Sequence, residues 1–116
     1  LIESFFKSAE SPDIEVLLTA HADGQFYKRH LDNGDPASET RVLAFVWYFR
    51  MGETQQFTGG WLVIDSPETR YVIDPDHNSL VVFPSGWWHE VMPTNMPTGN
   101  WQDARFTLNG WIRRPS

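Results

Sequence analysis

Apolar and polar residues alternate along most of this chain in short runs separated by turn residues, which is the period-two pattern of half-buried strands. The pattern predicts strands over Ile14–Ala20, Phe26–Asp32, Val42–Phe49, Trp61–Asp65, Arg70–Ile73, Leu80–Phe83, Trp88–Pro93 and Phe106–Ile112. Turn chemistry divides them at Ala22-Asp23-Gly24, Asn33-Gly34-Asp35-Pro36, Met51-Gly52, Asp65-Ser66-Pro67, Asp74-Pro75-Asp76, Pro84-Ser85-Gly86 and the Pro93–Gly99 stretch. Only Leu1–Ala9, with Leu1, Ile2, Phe5 and Phe6 at helical spacing, reads as a short N-terminal helix, ended by Ser11-Pro12-Asp13. About eight strands after one helical segment exclude a βαβ scheme and predict an all-β sandwich of the jelly-roll kind. Val42–Phe49 is apolar on both faces, as a strand between two packed layers should be.

Composition narrows this picture. The 116 residues fit a single domain spanning 1–116, large enough to hold a core without covalent staples. No cysteine is present, so disulfides, thiolate metal sites and cysteine nucleophiles are excluded, and a cytoplasmic location is the expectation. A net charge of −6, with Lys7 and Lys28 the only lysines, argues against nucleic acid and anionic membranes as partners. No apolar run approaches the ~20 residues of a membrane span. An anionic ligand would have to be held by a local arginine.

Two strands carry candidate chemistry. Strand alternation sends His30 and Asp32 to one face, and His89 sits among Trp87, Trp88 and Val91 where a strand would bury it. His-x-Asp plus one distant His is the ligand set of the facial triad that binds Fe(II) and leaves positions open for a 2-oxo acid and dioxygen. A closed zinc site would want a fourth ligand, often sulfur, that this chain lacks. Taken alone the pair reads equally as a satisfied strand histidine and an Asp32 that starts a turn. In Arg105–Ile112, alternation places Arg105, Thr107, Asn109 and Trp111 opposite Phe106, Leu108 and Ile112. An arginine turned inward demands an anion, and a ligand carboxylate offers bidentate pairing; an exposed edge strand is the alternative.

At this point six ordered blocks can be read together: Gly24–Asn33, Arg41–Phe49, Thr58–Leu62, Asn78–Pro84, Trp88–Val91 and Arg105–Trp111. In this order they resemble the prolyl 4-hydroxylase-like family of Fe(II)/2-oxoglutarate dioxygenases from Val16 to Ile112. The resemblance implies a double-stranded β-helix, a cupin-like jelly roll, with iron bound by His30, Asp32 and His89. It implies further that Arg105 and the Tyr48 hydroxyl hold the distal carboxylate of 2-oxoglutarate, with Thr107 and Asn109 as secondary candidates on the same face. Hydroxylation of a C–H bond follows, by resemblance that of a prolyl residue in a peptide or protein, with ascorbate as an accessory reductant.

Three departures accompany the resemblance. His21 stands near the position where the family often carries a tyrosine facing the cosubstrate. The Pro93–Ala104 loop is longer than in the shortest members and is expected at the substrate mouth, with Asn33–Thr40 and Met51–Thr58. Helices that usually precede the β-helix are largely absent from the sequence. His77 and Glu90 receive no catalytic role. Trp101, in a polar loop, is either a substrate contact or a cap on a core edge. The competing reading is a non-catalytic jelly-roll module that binds carbohydrate or peptide on Trp87, Trp88 and Trp101.

Overall fold

The structure is a computed structural model and describes residues 14–114. The expected helix Leu1–Ala9 lies outside the described residues. Ten strands follow one another: β1 Ile14–His21, β2 Tyr27–His30, β3 Arg41–Phe49, β4 Thr58–Gly59, β5 Leu62–Asp65, β6 Arg70–Ile73, β7 Ser79–Pro84, β8 Trp88–Val91, β9 Thr94–Asn95 and β10 Arg105–Arg113. They form two four-stranded antiparallel sheets, β1-β10-β3-β7 and β2-β8-β5-β6, plus the small pair β4-β9. The chain passes back and forth between the two large sheets, which is the double-stranded β-helix the sequence led us to expect.

Alternation decides what each sheet buries. Ala44 and Phe83 from the first sheet meet Leu62 and Ile64 from the second, all at most 4% exposed, with Val46, Val81, Val91 and Trp111 around them. Burial of a side chain such as Leu62 or Ile64 contributes roughly 1.5–3 kcal/mol. Beside this cluster the inward positions change to polar residues, and that change creates the site described below. On the first sheet's outer surface, Val16, Leu18, Leu80 and Val82 are at least half exposed. They belong to two cross-strand rows, Leu18–Leu108–Trp47–Leu80 and Val16–Gly110–Phe45–Val82. Gly110 is required there, because a Cβ would fall 1.7 Å from the Glu15 carbonyl oxygen.

One row of that outer surface is covered. Phe106, Phe49 and Ala20 pack with Phe57, Met96 and Ala104 in a second core cluster. The β1–β2 turn holds this cover down: the Gly24 N–H donates to the Thr94 carbonyl at 2.7 Å, and the Met96 N–H donates to Asp23 Oδ1 at 2.7 Å. Met96, Trp101 and Ala104 of the Pro93–Ala104 segment, expected at a substrate mouth, thus cover part of the back of the sheet. Two-residue pairings such as β4-β9 carry no periodicity, which is why the sequence pattern shows neither strand.

Candidate metal centre and anion pocket

His30 ends β2 and His89 lies on β8, directly opposite in register. Their rings approach to 4.1 Å between centroids. Asp32 lies two residues beyond the last paired residue of β2, so the chain has left the sheet where alternation had placed it on a strand. The register slips between Tyr27 and His30, and the turn after His30 swings the carboxylate back onto the two rings. Its Oδ1 lies 3.2 Å from His30 Nε2 and its Oδ2 lies 3.2 Å from His89 Nε2.

The other ring nitrogens are already committed. His30 Nδ1 lies 2.8 Å from the Lys28 carbonyl and His89 Nδ1 lies 3.0 Å from the Trp87 carbonyl. A carbonyl only accepts, so each Nδ1 carries a proton and each Nε2 is the ring atom turned toward Asp32 and the shared space. One ligand atom from each of the three residues lies within 4.8 Å of the others, and no other histidine or carboxylate among the described residues joins them. Two imidazoles and one carboxylate on one side of an otherwise open space suit a divalent first-row metal with positions to spare. Burial favours a neutral Asp32, but hydrogen bonds with His30 and His89 outweigh it and hold the carboxyl well below the usual range. The carboxylate is thus ionised, as a divalent cation requires of this ligand.

A cavity of about 450 Å³ opens beside these residues. Its far wall is the inward face of β1, β10 and β3, lined by His21 and Arg105, with the buried Tyr48 ring packed against Arg105. Arg105 is 3% exposed, and its Nε donates to the Gly60 carbonyl at 2.8 Å. Gly60 makes this approach possible: it holds φ +68°, and a Cβ there would lie 2.7 Å from Arg105 Cδ. No carboxylate among the described residues pairs with Arg105. Burial accordingly lowers its pKa, opposed only by Tyr48, 5.2 Å away across the ring face.

Tyr48 is 1% exposed, and its hydroxyl has no hydrogen-bond partner among the described residues. Burial raises its phenol, and the neighbouring Arg105 charge only partly offsets this. His21 sits opposite Arg105 across the β1–β10 pair, with Nδ1 equally unpartnered. Burial, then repulsion by Arg105, pushes its pKa down to about 4. A buried cation beside two unpartnered polar groups is costly in an empty pocket and well matched to a carboxylate. Thr107 and Asn109 complete the face: Asn109 Oδ1 accepts from Thr107 Oγ1 at 3.1 Å and from Thr19 Oγ1 at 2.8 Å.

The remaining expectations separate cleanly. His77 is a turn residue whose Nδ1 accepts the Arg50 N–H at 3.0 Å, and Glu90 pairs in register with Val63, outside the ligand group. The tryptophans form no common platform. Trp87 packs on the interlayer core, Trp88 lies under Arg29, and Trp101 sets its edge against Phe106 on the face of β10 that points away from Arg105. Trp101 thus touches the second core cluster through Phe106 while remaining 63% exposed. The sequence reading missed Gly60, whose only signal was the Gly59-Gly60 pair, and the buried Thr94, whose hydroxyl is also unpartnered.

Comparison with known proteins agrees with this geometry. The sequence model of the 2OG-Fe(II) oxygenase superfamily matches residues 16–113. An uncharacterized PKHD-type hydroxylase of Synechocystis is 36% identical over 94% of the chain and 39% of its own length. A PKHD-type hydroxylase of Prochlorococcus marinus is 26% identical over 84% of the chain and 40% of its length. The chain thus spans about two-fifths of these curated relatives. Among solved structures, a prolyl-4-hydroxylase of Pseudomonas putida superposes with TM-score 0.72 at 31% identity, covering 90% of this chain and 53% of that one. A prolyl hydroxylase of Trichoplax adhaerens, solved with a peptide of hypoxia inducible factor, shares the fold at TM-score 0.68 and 21% identity, covering 97% and 52%.

Proposed function

The chain belongs to the 2OG-Fe(II) oxygenase superfamily, and from that premise we propose that it is the catalytic β-helix of a dioxygenase hydroxylating a C–H bond, with a prolyl residue of a peptide or protein as substrate. The observation that carries this reading is the convergence of His30, Asp32 and His89 with both Nδ1 protons tied to backbone carbonyls. His30, Asp32 and His89 would hold Fe(II); Arg105 and Tyr48 would hold the distal carboxylate of 2-oxoglutarate, with Thr107 and Asn109 lining the same wall. Fe(II) and 2-oxoglutarate, when bound, supply dioxygen activation, so that C–H plus dioxygen plus 2-oxoglutarate gives C–OH, succinate and carbon dioxide. The prolyl substrate rests on the likeness to the Pseudomonas putida enzyme at 31% identity.

What the chain's own residues contribute is positioning. The Lys28 and Trp87 carbonyls fix which imidazole nitrogen faces the centre, and so remove the cost of choosing a tautomer at binding. Arg105 needs no movement to meet an anion, because Gly60 and Tyr48 already hold it in place. Leu62, Phe83 and Val91 are among the apolar residues of the cavity wall and limit water around the reacting atoms. The accompanying test measures succinate release during uncoupled turnover. Alanine at His30, Asp32 or His89 should abolish it while His77→Ala retains it; full activity in any of the first three variants would defeat the assignment.

A further inference from the structure

Asp32 carries two of the contacts that define the centre, yet it lies in an irregular segment rather than on a strand. Something other than the ladder must hold it. Arg41, at the start of β3, does three things at once. Its Nη1 donates to the Asp32 backbone carbonyl at 3.0 Å. Its guanidinium lies flat on the Trp111 ring, 3.7 Å from the centroid. Its Nε and Nη2 donate to the two carboxylate oxygens of Glu15, each at 3.0 Å. Glu15 is in turn gripped by Arg113 Nε at 2.6 Å, and Arg113 Nη2 reaches the Ala37 carbonyl at 3.2 Å in the segment that follows Asp32. Glu15 and Trp111 are register partners on β1 and β10, so three strands of one sheet converge on this segment.

Trp111 supplies the second half of the observation. Its ring is wedged between Arg41 and the cavity, and its indole N–H is buried without completing a hydrogen bond in the chain. Trp111 and Asp32 both line the cavity.

We propose that Glu15, Arg41 and Trp111 are positioning residues that aim the Asp32 carboxylate at the metal position, Arg41 gripping the Asp32 backbone while Glu15 and the Trp111 ring hold its guanidinium. Arg113 braces the same arrangement through Glu15. The segment 33–40 is then a fixed arm that carries a ligand, and its attachment to the sheet sets metal affinity. The proposal rests on the metal reading given above. It assigns a job to a charged cluster, Glu15–Arg41–Arg113, that the proposed chemistry does not otherwise use.

The test uses the full chain, stripped of metal and titrated with Mn(II) alone, reading free Mn(II) by electron paramagnetic resonance, with the melting temperature measured in parallel. Partners that orient a metal ligand typically govern affinity by about 10- to 100-fold. Trp111→Leu, which removes the ring under Arg41, should weaken Mn(II) binding about tenfold or more. Glu15→Gln, which releases Arg41 and Arg113 without touching the cavity, should do the same with a folded, cooperatively melting protein. Arg41→Lys should recover only part of the affinity of Arg41→Ala, since a lysine cannot span both Glu15 and the Asp32 carbonyl. If Trp111→Leu fails to fold, Glu15→Gln decides. Wild-type affinity, within twofold, in folded Glu15→Gln and in any folded Trp111→Leu overturns the clamp while leaving the metal reading intact. Failure of the wild-type chain itself to bind Mn(II) overturns both.

Discussion

Replacement of Arg105 by Met tests the anion pocket directly, because it exchanges a buried unpaired cation for an apolar side chain of similar length. In the wild-type chain the guanidinium is 3% exposed, makes one hydrogen bond to the Gly60 carbonyl, and faces the unpartnered hydroxyl of Tyr48. An uncompensated buried charge is destabilising, and its replacement by a well-packed apolar group is often neutral or favourable. The ligand-free Arg105→Met chain should therefore melt no lower than wild type. Binding should respond in the opposite sense. A hydrogen bond to a charged group is worth about 1.5–3 kcal/mol, and a bidentate pair with a carboxylate uses two. Loss of about 3 kcal/mol corresponds to roughly a hundredfold rise in Kd. The assay is thermal unfolding with Mn(II) in place of Fe(II), across a 2-oxoglutarate series. At a hundredfold excess over Kd, wild type gains about 2.7 kcal/mol, several degrees for a chain of this size, and Arg105→Met at the same concentration gains well under 1 kcal/mol. A variant that melts much lower without ligand yet binds 2-oxoglutarate normally would refute the reasoning, since Arg105 would then be a structural residue only.

Two further outcomes follow from the same wall. His21 has a folded pKa of about 4 against 6.5 ordinarily, so the folded chain prefers the neutral ring. Its stabilisation is complete above pH 6.5, falls as the unfolded chain takes up the proton between pH 6.5 and 4, and levels off below; the loss amounts to about 3 kcal/mol at most. Urea unfolding from pH 7 to pH 4 should show that decline, and a His21→Asn chain should show a shallower one; parallel curves would rule out His21 as the source. Gly60→Ala adds a methyl group at φ +68° and 2.7 Å from Arg105 Cδ. It should cost about 1–3 kcal/mol in stability and raise the 2-oxoglutarate KM more than it lowers kcat, because Arg105 is displaced rather than lost. An unchanged KM would mean that the Gly60 carbonyl does not position the guanidinium.

The strands were legible in the sequence because alternation is a local signal, and the matches at β6 and β10 run to within a residue of the observed ends. Alternation also identified the face that Arg105, Thr107, Asn109 and Trp111 share, all of them on the cavity wall. It failed at Asp32, where a slipped register and a turn, not a strand, bring the carboxylate back. The fixing of both Nδ1 protons was illegible, because it depends on how each ring rotates toward a carbonyl two residues away. The Glu15–Arg41–Arg113 cluster was illegible for another reason: its members lie as far apart as the two ends of the described chain, and ion pairs leave no periodic trace. Trp101 shows the limit of composition, since a tryptophan in a polar loop looks the same whether it awaits a ligand or closes a core edge.

The first sheet also divides its work by parity. On β1, Leu17, Thr19 and His21 line the cavity, whereas Val16 and Leu18 stand exposed on the opposite surface. On β10, Arg105, Thr107 and Asn109 face inward while Phe106 and Leu108 face out. Neighbours in sequence thus answer to different demands, one set to ligand chemistry and the other to solubility and packing. Changes at the outward positions can accumulate, or be engineered, with little effect on the anion wall 3.8 Å further along the chain. A sheet of this kind can explore new partners on its back while its chemistry stays fixed, and the reverse holds for the loops and inward positions around His30, Asp32 and His89.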